Sequence, residues 1–359
     1  MKIAIVGTRG MLWRYSGIEV SVNEAAKCLG ERGYKIVIYC RKLKNVLIPG
    51  YLCKNIKLVY IPTVNSKHLG TFIHAFFSTL HLIFSDIDIA HFHALGPSFF
   101  AFLPRLFGKK TIVTIHCLDW KRKKWKYPAK IFLKICEYTA IFFPHKTTVV
   151  SKTLKYYFEK KFRKNIYFIP NAVNINNPSQ QEEGNIKKLN YMLFVGRLVP
   201  EKGIHHLIKA FNALDTDKEL IIAGESSFTD DYAAYLRRMA GKNTKFLGFV
   251  GDRELDRLYR NAYIFILPSE VEGSSLSLLE AMSYGRCVVV SDIPECLEII
   301  HDCGISFRCG DYLDLKDKLQ YLIDNPDIVS MMGLKARRRI SERYNWDIII
   351  DELERLYLS

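Results

Sequence analysis

The chain has 359 residues and is 49% hydrophobic, which supports large cores but exceeds the ~250 to 300 residues at which a single core stops growing, so two α/β domains are expected. Its net charge of +15 is uneven: residues 1–180 carry 29 Lys and Arg against 8 Asp and Glu, a net +21, and residues 181–359 carry 23 against 29, a net −6. A basic first half calls for an anionic partner, whether nucleic acid, an anionic bilayer or a phosphorylated acceptor, while nine cysteines without a Cys-x-x-Cys pair read as reduced thiols of a cytosolic protein.

Met1-Lys2 and the apolar Ile3 to Val6 are too short for a signal peptide and read as a first strand. Thr8 to Glu19 is a long glycine-bearing loop, the helix Val20 to Arg32 follows, and Lys35 to Tyr39 completes a β-α-β unit. The loop is not the Gly-x-Gly-x-x-Gly dinucleotide fingerprint, but it faces the crevice at the carboxyl edge of a parallel sheet, where ligands bind. Phe72 to Phe84 and Ile131 to Phe143 are apolar but shorter than the ~20 residues a membrane span needs. The chain is therefore expected to lie against a membrane rather than cross one.

Asp86-Ile-Asp88 satisfies a bare Asp-x-Asp metal pattern, yet it straddles a helix end and a strand start, so its ligands do not converge and no metal is expected. His91 and His93 share one side of a strand; with no third ligand in sequence they read as a hydrogen-bonded crevice pair rather than a zinc site. Strand Thr111 to Ile115 delivers His116, with Asp119 and Trp120 just beyond. Lys121 to Lys126, with Trp120, Trp125 and Tyr127 interleaved, is a basic-aromatic patch whose place beside the crevice favours a membrane-held, phosphate-bearing acceptor over nucleic acid. Residues 1–174 form the expected first domain, and 175–189, rich in Asn, Gln and Glu, the linker.

The second domain, 190–340, opens with strand Tyr191 to Val195 and the turn Gly196-Arg197-Leu-Val-Pro-Glu-Lys202-Gly203. Two cations bracketing a glycine-bearing turn at a strand's carboxyl end suit a diphosphate. Leu220 to Ala223 with Gly224-Glu225, then Phe246 to Val250, repeat the strand-turn-helix rhythm. Strand Tyr263 to Leu267 leads into Pro268-Ser-Glu-Val-Glu272-Gly273-Ser274-Ser275-Leu276, a helix that opens near Ser274 or Ser275, and a stop at Gly285. Ser277-x-x-Glu280 also fits a capping box. Glu272 and Glu280 stand eight residues apart, one in the loop and one in the helix. A helix N-terminus suits a phosphate, and carboxylates on either side of that anion hold hydroxyls rather than the anion itself. A nucleoside diphosphate sugar has that layout. Residues 341–359 end in an amphipathic helix.

The run Glu272-Gly-x-x-Leu276-x-x-x-Glu280-Ala-Met-x-x-Gly285 resembles the Glu-x7-Glu signature of retaining glycosyltransferases with the GT-B fold, especially glycosyltransferase family four. That resemblance implies two Rossmann-like domains with parallel sheets facing across a cleft, the first holding the acceptor and the second the nucleotide sugar, with the last helix packing back on the first. It assigns Glu272 to the donor sugar and Glu280 to the nucleotide ribose. The family often has Gly-Phe-Gly where this chain has Gly273-Ser274-Ser275. Gly196-Arg197-x-x-x-Glu-Lys202-Gly is similar to the family's diphosphate clamp, and the loop near Gly224 flanks the base in family members. Thr8 to Glu19 is similar to an Arg-Tyr-Gly-Gly-x-Glu run of polysaccharide-assembly members, which places Gly17 near the donor phosphates and leaves Glu19 structural. His116 is similar to the family histidine that touches the transferred sugar and helps stabilise the forming oxocarbenium ion.

The expected activity is hexosyl or deoxyhexosyl transfer from a nucleotide sugar to a lipid-linked or phosphorylated glycan, with retention, without a metal or other cofactor, in surface polysaccharide synthesis. The expected place is the cytoplasm, at the inner face of an anionic membrane, with no nucleic acid partner. A nucleotide-sugar epimerase on the same scaffold would leave the basic half unexplained. A non-enzymatic membrane or nucleic-acid binder would not account for Arg197, Lys202, Glu272 and Glu280 together.

Overall fold

A computed structural model describes residues 1–359 apart from 9, 11–16, 43–50, 65–68, 122–124, 126, 176–189 and 228. The chain begins β1 (Lys2–Val6), α1 (Gly17–Glu31), β2 (Lys35–Arg41), β3 (Tyr51–Cys53), β4 (Ile56–Ile61), α2 (Leu69–Ile83) and β5 (Ile89–His93). It continues with α3 (Leu95–Ser98), α4 (Phe102–Leu106), β6 (Lys110–Ile115), α5 (Tyr127–Phe142), β7 (Lys146–Val149), α6 (Lys152–Phe162) and β8 (Tyr167–Phe168). After the linker come β9 (Tyr191–Val195), α7 (Ile204–Asn212), β10 (Glu219–Ala223), α8 (Asp230–Met239), β11 (Thr244–Gly248), α9 (Asp252–Asn261) and β12 (Ile264–Leu267). The last elements are α10 (Leu276–Ser283), β13 (Cys287–Ser291), α11 (Pro294–Ile300), β14 (Ile305–Phe307), α12 (Tyr312–Asp324), α13 (Pro326–Arg343) and α14 (Trp346–Leu358).

Two compact units result: Met1–Asn171 with Trp346–Ser359, and Ala172–Asn345. Each is built on a sheet of the Rossmann type. The first sheet runs β3-β4-β2-β1-β5-β6-β7-β8, parallel except for β3, which pairs antiparallel to β4 at the edge. The second runs β11-β10-β9-β12-β13-β14 and is parallel throughout. Central strands such as Lys2–Val6 and Ile264–Leu267 are near-continuous apolar runs because helices cover both faces of such sheets.

In each sheet the strand order reverses at one point, between β1 and β5 and between β9 and β12. Loops leaving the carboxyl ends of strands flanking such a point diverge to opposite faces and open a crevice. Two expected site segments leave from those ends, Gly196 to Gly203 after β9 and Pro268 to Ser275 after β12, while the loop expected after β1 lies outside the described residues at 9 and 11–16.

Helix ends follow local chemistry. Ser151 caps α6 by accepting from Leu154 N at 3.3 Å, and Asp311 caps α12 from Leu313 N and Asp314 N at 3.0 and 3.1 Å. Gly285, with φ of 69°, terminates the stretch after α10 in the left-handed region. The Asp-x-Asp pair is occupied by Lys2: its backbone N donates to Asp88 Oδ2 at 2.7 Å and its ammonium lies 3.8 Å from Asp86. The eight cysteines whose side chains are described are free thiols. The linker expected over 175–189 lies outside the described residues apart from Ile175, as do positions 122–124 and 126 of the basic-aromatic patch.

Candidate active site

The second unit gathers three loops at the carboxyl ends of β9, β10 and β12. Gly203 sits at φ 65°, and a Cβ there would lie 2.0 Å from Pro268 O, so only glycine lets the turn after β9 touch the end of β12. Gly224, at φ 144°, comes equally close to Gly196, where a Cβ would stand 1.9 Å from its carbonyl oxygen. Backbone bonds fasten the rest: Leu198 N to Glu225 O at 2.8 Å and Glu270 N to Glu201 O at 2.9 Å. Arg197, Lys202, Gly224, Glu225 and Glu272 are thereby carried on one bonded set of loops.

Lys202 Nζ donates to Glu272 Oε1 at 2.5 Å, with the two side chains only 15% and 9% exposed. An ion pair this enclosed is attracted more strongly than a surface pair. Gly273, Ser275 and Leu276 are buried behind it, and Ser274 is half-buried. Ser275 holds the N-cap position of α10 in extended conformation, but its hydroxyl lies 3.2 Å from Ser277 Oγ and does not cap the helix. The first turn of α10 thus has no side-chain cap at the end where N–H groups and the dipole favour an anion.

Glu280 departs from the capping-box reading. α10 starts at Leu276, which puts Glu280 in its second turn, out of reach of the N-cap. Its carboxylate accepts instead from Tyr259 Oη at 2.9 Å. Tyr259 stacks on Tyr284 with ring centroids 5.6 Å apart, and Tyr284 Oη in turn donates to Asp256. Burial first, then the Glu280 carboxylate, holds the Tyr259 phenol well above its ordinary range, so it remains a donor. The chain Asp256, Tyr284, Tyr259 that orients Glu280 has no marker in the sequence, because α9 contributes two of its members from over twenty residues upstream.

Beside the ion pair, His205, His206 and Glu270 each bring one ligand atom within 4.8 Å of the others. His206 Nε2 lies 3.7 Å from Glu270 Oε1, and His205 Nδ1 lies 2.8 Å from Tyr232 Oη. Among the described residues this is the group whose donor set could hold a metal ion; the sequence showed only two adjacent histidines on a helix.

In the first unit, β5 and β6 end in histidines. His93 Nδ1 meets His116 Nε2 at 3.1 Å, so one nitrogen carries the proton and the other accepts it. His91 bridges Tyr357 Oη and Thr114 Oγ1, each at 2.7 Å, and Thr114 passes the chain to Thr148 at 2.6 Å. The pair expected from sequence is therefore hydrogen-bonded, with partners that sequence could not supply. Burial lowers His91 to about 3 and His93 well below 6.5, so both are neutral. A cavity of about 50 Å³ beside them is lined by His91, His93, His116, Asn171 and Tyr357, among others. Gly17 is the first residue of α1, and Glu19 is buried in its first turn.

Two family models account for nearly the whole sequence: Glycosyltransferase Family 4 over residues 15–177 and Glycosyl transferases group 1 over residues 176–343. The chain belongs to glycosyltransferase family 4. An uncharacterized glycosyltransferase of Methanocaldococcus jannaschii is 33% identical over 46% of this family 4 chain and 44% of its own length. The capsular polysaccharide biosynthesis glycosyltransferase CapM of Staphylococcus aureus is 25% identical over 51% of the chain and 50% of itself, so the chain spans about half the length of these two relatives. The phosphatidyl-myo-inositol mannosyltransferase of Mycobacterium leprae is 24% identical over 97% of the chain and 96% of its own length. Among solved structures, Anabaena HepE in complex with UDP and glucose superposes with a TM-score of 0.80, covering 99% of both chains at 16% identity. That likeness establishes the GT-B fold for this family 4 chain.

Proposed function

We propose that this chain transfers a hexosyl or deoxyhexosyl group from a nucleoside diphosphate sugar to a lipid-linked glycan, with retention at the anomeric carbon. The observation that carries the reading is the enclosed Lys202–Glu272 pair at the uncapped start of α10, with Glu280 held eight residues on by Tyr259. The donor's diphosphate takes Lys202, Arg197 and the α10 N-terminus. Released from Lys202, Glu272 accepts hydroxyls of the sugar, while Glu280 accepts those of the ribose. Negative charge grows on the diphosphate as the glycosidic bond breaks, so preorganised cations there favour the transition state over the ground state. His116 contacts the transferred sugar. With fixed cations at the leaving group, no metal has a required role.

The UDP in HepE supports a nucleotide donor, and the mannosyltransferase and capsular relatives support a lipid or polysaccharide acceptor. The test is thermal-shift screening against UDP-, GDP- and dTDP-sugars, followed by nucleotide release with and without a polyprenyl-diphosphate-linked saccharide. Release that needs the acceptor, persists in chelator and is lost in Lys202→Ala is the expected result. Sugar interconversion without acceptor would make the chain an epimerase, and chelator-sensitive donor binding would shift the chemistry to His205, His206 and Glu270.

A further inference from the structure

α5 buries Leu133, Cys136, Glu137, Ala140 and Ile141 against the core of the first unit. Its opposite side is not polar. Tyr127, Ile131, Ile135, Tyr138 and Phe142 recur every three or four residues, form one stripe, and are each between 44% and 77% exposed. Lys134 is the charged residue on that side of the helix. The stripe continues across neighbours: Phe142 and Tyr138 pack their rings on Phe162 of α6, and Phe143 packs on Phe102 of α4. At the end of α4, Leu106 and Phe107 are exposed, and Phe107 meets Phe84, which is 83% exposed. Single exposed apolar residues are ordinary, but a connected strip running from Tyr127 to Phe84 marks an interface.

The rim identifies what covers it. From Tyr127 to Lys164 the chain has nine Lys and Arg against two carboxylates. Of those two, Glu137 is fully buried and accepts from Trp120 Nε1 at 2.6 Å, and Glu159 accepts from Ile166 N. Lys164 lies over the Phe142 ring at 5.6 Å and Lys134 over Trp120 at 5.0 Å, their stems along apolar surface, while Lys161, over Tyr138 at 5.7 Å, turns its ammonium to the buried Glu137 carboxylate. Lys160 and Arg163 are exposed on the same turn.

We infer that this face, α5 with the ends of α4 and α6, lies on an anionic lipid surface, its aliphatic and aromatic stripe at the headgroup–acyl boundary and its basic rim against phosphates. A second copy would bring two basic rims together, and the aliphatic Ile131 and Ile135 standing between the rings of Tyr127 and Tyr138 suit acyl chains better than a run of stacked bases. No helix among the described residues is long and apolar enough to cross a membrane, so the contact is lateral. The lipid-linked acceptor reading supplies the purpose of this contact, while the contact itself rests on the surface alone.

The test is sedimentation of the full chain with vesicles of phosphatidylcholine alone and of phosphatidylcholine with 30 mol% phosphatidylglycerol, a composition on the order of natural anionic leaflets. Binding is expected to the anionic vesicles, weakened by salt. Ile131→Glu/Ile135→Glu is expected to weaken it at least tenfold, and Lys160→Glu/Lys164→Glu to remove the preference for anionic lipid, with thermal melts and nucleotide-sugar shifts unchanged in both because all four positions are exposed. Equal sedimentation of wild type and Ile131→Glu/Ile135→Glu overturns the inference. So does dimerisation abolished by that variant without vesicle binding, or RNA binding that survives it and is lost in Lys160→Glu/Lys164→Glu. Vesicle binding by a chain that shifts with no nucleotide sugar would leave the surface standing and remove the proposed transferase activity.

Discussion

Lys202 and Glu272 hold each other at 2.5 Å, so a ligand must separate a pair that already satisfies both charges. In the proposed binding mode a diphosphate would do so by replacing one carboxylate with a more highly charged anion, and the sugar hydroxyls would then satisfy the carboxylate it displaced. Lys202→Ala is expected to lower turnover by about 10²–10³, the usual cost of one preorganised donor at a developing negative charge, and to lower the melting temperature as well, because the enclosed Glu272 carboxylate loses its cation. Tyr259→Phe removes a hydrogen bond to a carboxylate, worth roughly 1.5–3 kcal/mol. Because Tyr259 acts through Glu280, the expected effect is donor KM raised about tenfold with kcat nearly unchanged, measured by steady-state kinetics. Buried His91 and His93 set a third expectation. Their folded pKa values lie below 6.5 while the unfolded chain protonates near 6.5, so stability is intact above that pH and declines as pH falls toward 3. At pH 5 the loss is on the order of 2 kcal/mol for His91, with His93 acting in the same direction, and thermal melts from pH 8 to 5 should show the first unit weakening.

The turn after β9 shows how much an element depends on one residue. Gly203→Ala meets both left-handed strain and the Pro268 carbonyl, and is expected to cost more than ~2 kcal/mol and to abolish donor binding. Gly33→Ala, at φ 91° with nothing within 4 Å, is expected to cost about 1 kcal/mol and leave the site alone, and comparing the two melts separates strain from contact. Elements of this kind were legible in the sequence because apolar runs, glycine stops and cations at strand ends are local signals. The strand before Glu272 and the helix after it fall within a residue or two of their expected bounds. The role of Glu280's hydrogen bond was not legible, since a Ser-x-x-Glu spacing looks the same whether the glutamate turns back to the cap or across to Tyr259. Nor did Ile131 to Phe143 reveal its exposed stripe: a helix apolar on both sides reads as core until its neighbours are placed. His91 finds Tyr357 at a separation of 266 residues, beyond any local pattern.

At the scale of the molecule, the final helix belongs to the unit where the chain began. Tyr357 bonds His91, its carbonyl accepts from Lys110 at 2.8 Å, and Arg32 reaches Asp351 and Glu354, both at 2.6 Å. Ile349, Ile350, Leu353 and Leu356 are buried there, each worth ~1.5–3 kcal/mol, so a chain ending at residue 345 is expected to lose the cooperative melt of the first unit and keep that of the second. Family 4 membership follows from matches over nearly the whole length, whereas the proposed grip on a donor rests on a few side chains in the second unit. The most direct measurement is calorimetric titration of UDP-, GDP- and dTDP-sugars into the wild type, Lys202→Ala and Glu280→Gln, in EDTA. One donor should bind one to one in the wild type and at least tenfold more weakly in each variant. Equal affinity in all three proteins, or binding only when a metal is restored, would contradict a donor held by Lys202, Glu272 and Glu280.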